Sequence, residues 1–417
     1  MLTVNQDRFD EHAFRSRHAE MERTGAYRHP EGKRYAVCVG HAFDLIAIVL
    51  YMRERGGSVL LMHEATPFQL AVDTARKADC ACLIHGRWED ALELAGAADH
   101  RPSILQYSSG TSREPALVER SWRQVETEIM HYNRLFREEG RVEPVILVPV
   151  SHSYGLIAGT LSSIARGEEP AVIQHRNPKA VLQEIRSRPR AMVYTVPFLF
   201  SVLDAMAKEE DRFHRMIVSG SPPSDPLLDR MKSRAGEAWQ QYGCTEAGCI
   251  SVARNPECAS DVGHPLGHVE ISIAWGEADG ASPGQGEIVA AIGGCLVRTR
   301  DLGAVNPADG RLHVLGRLDD LLNVSGLKVI PSEVESVIMR MPGIMECLVL
   351  RTAHRVWGEA VRAMIVAATP IEARDVREWC IRHLPAYKVP SVIDMADEIP
   401  RTPAGKISRA YIAEMER

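Results

Sequence analysis

The sequence is poor in aromatics, 6% of 417 residues, and none of its nine cysteines forms a Cys-x-x-Cys pair. Cys80 and Cys82 stand one residue apart and the other seven are scattered. An odd, unpaired set excludes a secreted disulfide scaffold and a zinc finger, and fits free thiols in a reducing cytosol. Long hydrophobic runs are also missing. The longest, Leu45 to Met52, is far too short to span a bilayer. The polar stretch from Met1 to Arg15 carries Asp7, Asp10 and Glu11, and lacks the basic start and apolar middle of an export signal. Positive charge is not in excess either. Lys+Arg is 49 against 55 Asp+Glu, a net charge of −6, so there is no basic footprint for nucleic acid. These absences predict a cytoplasmic protein with no membrane span and no nucleic-acid partner.

What is present is an ordinary globular balance, 45% hydrophobic and 25% charged. The length suits about two to three domains. From Tyr35 onward, short apolar runs alternate with helical patterns. Strands are predicted at Tyr35–Val39, Ser58–Met62, Cys80–Ile84, Val145–Val150, Ala171–Gln174, Ala191–Thr195 and Met216–Ser219. Helices are predicted at Ala42–Arg55, Pro67–Lys77, Ser153–Ala165, Pro178–Ser187, Pro197–Lys208 and Asp225–Arg234. Fully apolar strands between amphipathic helices indicate a mostly parallel sheet covered on both faces. After Tyr242 the texture becomes strand-rich with Gly and Pro turns. The last hundred residues read as a small α+β unit.

Five segments carry chemistry. Tyr107-Ser108-Ser109-Gly110-Thr111-Ser112 follows a strand. Small hydroxyl residues around a Gly can turn backbone N–H groups toward a polyphosphate, although a solvated turn reads the same way. Gln241-Tyr242-Gly243-Cys244-Thr245-Glu246 offers a ring to stack on a base, with a hydroxyl and a carboxylate for magnesium; a surface turn is the alternative. Arg298-Thr299-Arg300-Asp301 precedes Asp309-Gly310 and Gly316-Arg317-Leu318-Asp319-Asp320. There Asp301 can accept both hydroxyls of a ribose, while Asp309-Gly310 reads as a hairpin turn. Ser325-Gly326-Leu327-Lys328 leads to Pro331, a sound helix start with Glu333 and Glu335 after it. Pro400-Arg401-Thr402-Pro403-Ala404-Gly405-Lys406 ends the series, with a lysine that would ordinarily be a plain surface residue.

In this order and spacing the set resembles the adenylate-forming superfamily, which includes acyl- and aryl-CoA synthetases, adenylation domains and luciferase. The resemblance runs from about Tyr35 to Arg417. It implies an α/β fold: a large domain over 1–318, with stacked, mostly parallel sheets, helices and a β-rich subdomain, and a small mobile α+β domain over 319–417. It also implies a two-step reaction. A carboxylate attacks the α-phosphate of ATP to give an acyl-adenylate, and a thiol of coenzyme A or of a carrier protein's pantetheine then displaces AMP. By the same resemblance Ser108, Ser109, Gly110, Thr111 and Ser112 hold phosphates, Tyr242 and Gly243 flank the adenine, and Asp301 and Arg317 bind the ribose. Glu246 holds magnesium with Thr245 nearby. Lys406 bridges carboxylate and α-phosphate, Asp319 is the hinge, and Gly326 borders the thiol tunnel. His152, Tyr154, Ser219, Gly220 and Ser221, with Val193 to Phe200, line the acyl pocket.

The sequence departs from the family in places. Arg113, Ala116 and Leu117 replace a Gly, a Lys and a Gly that commonly follow the phosphate loop. Arg300 stands where a Gly is common before the ribose Asp. The region before the loop is short. The segment Pro149 to Gly155 carries no clear counterpart of the Asp that pairs with an amino-acid amine. The expected substrate is therefore a small fatty or aromatic acid rather than an amino acid, with a separate acceptor. The loop changes leave one alternative, a catalytically weak or inactive nucleotide- or acyl-binding paralogue.

Overall fold

The computed structural model describes residues 1–108, 116–136, 140–175, 177–274, 284–355, 358–401, 407 and 409–415. Ser109, Gly110, Thr111, Ser112 and Lys406 lie outside the described residues.

Among the described residues the architecture is α/β, built on three sheets. One six-stranded sheet has a parallel centre made by Cys82–Gly86, Arg34–Val39, Ser58–Leu61 and Ser103–Tyr107. Ala91–Glu93 and Leu117–Ser121 close its edges antiparallel. Ser58–Leu61 is buried at every position, as a strand covered on both faces must be. The helix Ala42–Glu54 is buried from Leu45 through Val49 and at Tyr51 and Met52, so the longest apolar run of the sequence is a core helix.

A thirteen-stranded sheet changes character along its width. Ala171–Val172, Glu143–Ile146, Ala191–Thr195, Phe213–Val218 and Ala235–Cys244 pair in parallel. From Gly248–Arg254 through Asp261–Pro265, Leu312–Arg317, Cys295–Val305, Gln285–Ile292 and Val269–Ala274 every pairing is antiparallel. The change of texture after Tyr242 is this switch. The helices Pro178–Arg186, Pro197–Met206 and Asp225–Arg234 cover one face of the parallel part, where Val193 and Phe200 are buried with Leu203 and Met231. Tyr194 is buried in a different cluster, and Val196 packs against that same cluster. Strand alternation thus divides the segment expected to line a single pocket, and Val193 and Phe200 lie on the helix-covered face.

The third sheet orders Leu327–Val329, Leu322–Val324, Gly358–Ala367 and Ile344–His354, with Val392–Met395 beside Gly358–Ala367. It carries the helices Pro331–Met339 and Ala373–His383 around their own core of Val334, Ile338, Val349, Ile365 and Val376. The thirteen-stranded sheet ends at Arg317 and this one begins at Leu322, joined by the single turn Leu318–Asp320.

Candidate active site

The phosphate-loop motif sits on a β-hairpin. Tyr107 pairs with Leu117, and just beyond them the Ser108 N–H donates to the Ala116 carbonyl at 2.8 Å, while the Ala116 N–H donates to Ser108 Oγ at 3.1 Å. Ser108 therefore closes the base of the loop. Two contacts fix where this hairpin points. On the incoming strand, buried Gln106 donates to the Ser151 carbonyl at 3.0 Å and accepts from Ser153 Oγ. On the outgoing strand, buried Arg120 pairs with Glu128, whose other oxygen accepts the Cys249 N–H at 2.9 Å. Gly248 is needed there: its φ is +73°, and a Cβ would come within 2.3 Å of Glu128 Oε2. The hairpin is thus tied to the His152 turn on one side and to the turn after Glu246 on the other.

The second motif lies on another hairpin. Gln241, Tyr242, Gly243 and Cys244 end the strand Ala235–Cys244, and Thr245, Glu246 and Ala247 form the turn to Gly248–Arg254. Glu246 is exposed at the tip and Thr245 is half-buried beside it. Gly243 accepts no side chain, since a Cβ would meet the Gly248 carbonyl oxygen at 2.1 Å. Burial, and next the neighbouring Glu246 charge, push the Cys244 thiol up to about 12, which favours the protonated thiol.

The third motif closes onto the second. Tyr242 Oη donates to Asp301 Oδ2 at 2.6 Å, and Arg317 Nη1 lies 3.0 Å from Asp301 Oδ1. Burial raises the Asp301 carboxyl above its ordinary value; the Arg317 charge and the Tyr242 hydrogen bond oppose this without cancelling it. Arg317 Nε is buried and has no hydrogen-bond partner among the described residues. A carboxylate short of donors beside a cation with a spare N–H is what a ribose diol can complete. The nucleotide therefore fits these residues on chemical grounds.

The acyl-pocket candidates fall around one strand end. Tyr154 opens a wide, π-type helix, Tyr154–Leu161, a form that is rare and often found at functional sites. Its Oη donates to the Ile217 carbonyl at 2.8 Å, two residues before buried Ser219 and exposed Gly220, whose φ is +90°. Its ring lies 6.0 Å from that of Tyr194. The His152 ring lies 6.5 Å from that of His63.

Two candidates lie at or beyond the junction. Asp319 receives the Arg300 guanidinium, with Nε at 3.1 Å. Gly326, φ +87°, and Ser325, φ +51°, form the exposed two-residue turn between Leu322–Val324 and Leu327–Val329. Arg401, five residues before Lys406, stacks 4.2 Å from the Phe198 ring of the helix Pro197–Met206. Sequence reasoning missed Gln106, Arg120 and Glu128. A Gln just before a phosphate loop gives no local signal, and the Arg120–Glu128 pair meets Gly248 from a distant part of the chain.

A family model described as AMP-binding enzyme matches residues 69–298, and one described as AMP-binding enzyme C-terminal domain matches residues 333–406. The chain is 39% identical over 414 residues to a 3,4-dihydroxybenzoate–[aryl-carrier protein] ligase of Bacillus anthracis, covering 99% of this chain and 98% of that one. It is 27% identical to a 2-succinylbenzoate–CoA ligase of Bacillus subtilis, over 76% of this chain and 69% of that one. Among solved structures, ATP-bound MatB from Rhodopseudomonas palustris superposes with a TM-score of 0.85 at 18% identity, covering 99% of this chain and 95% of that chain. The o-succinylbenzoate CoA synthetase of Bacillus subtilis with its acyl-adenylate gives 0.83 at 20% identity, with 99% and 94% covered. The chain therefore belongs to the AMP-binding, adenylate-forming enzyme family. It is an AMP-forming acid–thiol ligase: it activates a carboxylic acid with ATP and passes the acyl group to a thiol. ATP and magnesium are bound in a related solved structure.

Proposed function

We propose that this ligase activates a ring-hydroxylated aryl acid of the 3,4-dihydroxybenzoate kind and transfers it to the pantetheine of a separate aryl-carrier protein. The observation that carries this reading is the 39% identity to a ligase of that name over nearly the full length of both chains. The missing amine-pairing Asp in Pro149 to Gly155 agrees with a substrate that is not an amino acid. Nine free cysteines and, among the described residues, no helix long and apolar enough to cross a membrane are compatible with work in the cytosol.

In this reading the chain has two bodies, 1–318 and 319–417, with Asp319 as hinge. Asp301 accepts the ribose hydroxyls, held by Tyr242 and Arg317. Gly243 lets the base approach the backbone. Ser108, Ser109, Gly110, Thr111 and Ser112 receive the phosphates. Glu246, with Thr245, holds magnesium, which would neutralise charge on the phosphates. Tyr154, His152, Ser219, Gly220 and Ser221 enclose the aryl ring, and Gly326 borders the thiol's approach. The acid's carboxylate oxygen attacks the α-phosphorus and pyrophosphate leaves. The thiol sulfur then attacks the acyl carbon and AMP leaves. Attack at phosphorus builds charge on oxygen, so Lys406 acts by placing an ammonium beside that charge.

The test is carboxylate-dependent pyrophosphate exchange over hydroxybenzoic, fatty and amino acids, followed by coenzyme A against a holo-carrier as acceptor. Exchange with dihydroxybenzoate and loading of the carrier are expected. Preferential acylation of coenzyme A would favour the reading carried by the 2-succinylbenzoate–CoA ligase relatives. Lys406→Ala should lower exchange by about 10²–10³, the loss of one preorganised donor. Thioester formation from supplied acyl-adenylate should survive it.

A further inference from the structure

The side chains around the junction change allegiance between two adjacent residues. Arg317 pairs with Asp301 of the thirteen-stranded sheet at 3.0 Å. Asp319 is clamped by Arg300 of the same sheet through both Nε and Nη2. The next residue, Asp320, faces the other body. Its Oδ2 accepts from Arg409 Nη1 at 2.8 Å, and Arg409 also pairs with Glu335 and donates through Nε to the Val349 carbonyl at 2.9 Å. The ion pairs of Arg317 and Asp319 therefore belong to one body and that of Asp320 to the other, while Ser332 Oγ of the small body donates to the Leu315 carbonyl across the junction. The backbone between Asp319 and Asp320 joins side chains held by different bodies.

Arg300 is the unusual member. Its φ is +58°, a left-handed conformation that costs any residue with a Cβ. The other described non-glycine residues with positive φ are Asn5, His29, Asp79, Asn255 and Ser325, short or ring-bearing side chains of the kind found in turns. The strained backbone is held in place by Glu287, which is buried, accepts the Arg300 N–H at 3.0 Å and also takes the Arg298 guanidinium. Strain persists where surrounding structure fixes it, and here it aims a bidentate guanidinium at Asp319.

We propose that Arg300 is a positioning residue that anchors the pivot. By fixing Asp319 to the nucleotide-binding body it confines rotation to the Asp319–Asp320 link. Arg409, at the start of Arg409–Met415 and three residues past Lys406, ties the far side of that link to the lysine's own segment. A defined axis lets one rotation carry Lys406 between two reproducible positions. This rests on the reading of Asp319 as hinge and Lys406 as the adenylation lysine.

The experiment compares wild type with Arg300→Gly, Asp319→Ala and the double variant. Glycine accepts a φ of +58° without strain, so Arg300→Gly should melt no lower than wild type. Hydrogen exchange of the 316–324 segment should speed up about fivefold in each single variant, the scale of one partly exposed bidentate pair. The double variant should add nothing, because both singles remove the same contact. In the reaction, thioester formation from ATP and acid should fall about fivefold more than pyrophosphate exchange, with the KM for ATP unchanged, because the full cycle needs both domain positions. Arg300→Lys should restore part of each effect. Unchanged hydrogen exchange in both singles, or additive effects in the double, would overturn the proposal. So would an equal fall in both half-reactions with a raised KM, which would assign Arg300 to nucleotide binding through Asp301. Absence of pyrophosphate exchange in the wild type would instead overturn the reaction roles, leaving hydrogen exchange to decide the anchor.

Discussion

Asp261 and Asp301 are both buried aspartates that face an arginine, and they titrate in opposite directions. Burial pushes each carboxyl up. At Asp261 the Arg311 guanidinium and the N–H groups of Glu257 and Gly263, at 2.8 and 2.9 Å, outweigh it and hold the carboxyl below its ordinary value. At Asp301, among the described residues, Arg317 and the Tyr242 hydroxyl oppose the burial without cancelling it, and the carboxyl stays raised. Asp261 is saturated with donors and pins the antiparallel strands Asp261–Pro265 and Leu312–Arg317 together. Asp301 has acceptor capacity to spare, which the proposed reading assigns to the ribose. Burial and charge alone do not mark a functional carboxylate; unfilled hydrogen-bonding capacity does.

The difference can be broken most severely at Asp261. Asp261→Asn strands Arg311, whose side chain is only 19% exposed, and should cost about 3–5 kcal/mol in urea unfolding. The KM for ATP of the folded fraction should not change. At Asp301 the balance reverses. Arg317 is 38% exposed and can be solvated when its partner is neutral, so Asp301→Asn should leave the melting temperature level. Its KM for ATP should rise by about 10- to 150-fold, the worth of one hydrogen bond to a charged group.

pH should separate the two aspartates in the wild type. A carboxyl with a raised folded pKa carries a penalty above that pKa, and the penalty is relieved as pH falls through it. Asp301 therefore protonates first, and ATP affinity should fall while the fold holds. Asp261, whose pKa is depressed, contributes stability above its unfolded value of about 3.9, lost only as pH falls through its folded value. A titration of KM beside melting curves would show the two losses apart, and Asp301→Asn should flatten the first. A smaller effect is expected at His268. Burial, with His131 and Arg120 adding to it, lowers its pKa to about 4. The folded state binds fewer protons than the unfolded one between that value and about 6.5, so stability should be lost as pH falls across this window. With allowance for solvent screening the loss is about 1–2 kcal/mol, and His268→Asn should remove it.

Local pattern located the elements and left their ends open. Ala191–Thr195 and Asp225–Arg234 match the expected bounds, because an apolar strand and a Pro-started helix are set within a few residues. The strand expected at Cys80–Ile84 runs from Cys82 to Gly86, because Asp79 turns with φ +55° and Cys80 still closes the preceding helix. The strand expected to reach Val150 ends at Ile146, where the chain leaves the sheet to carry the His152 turn. The helix expected over Ser153–Ala165 is wide through Leu161, with Gly155 pressed to 2.4 Å from the Pro149 carbonyl for any added Cβ. Spacing could not predict that contact.

What the sequence by itself determined is the class of chemistry and the order of its segments: the hydroxyl-rich loop, the Tyr-Gly turn, the Arg-Asp segment at Asp301 and the terminal lysine segment. Residue type at fixed offsets is enough for that, since each part is a local device. Tertiary structure decided which parts meet. Tyr242 reaches Asp301 across 59 residues, and Arg120 and Glu128 brace the turn after Glu246. It also decided that Arg300, a departure when read along the chain, grips the junction at Asp319. Those pairings depend on strand register and on the distance between distant segments, which no local pattern encodes.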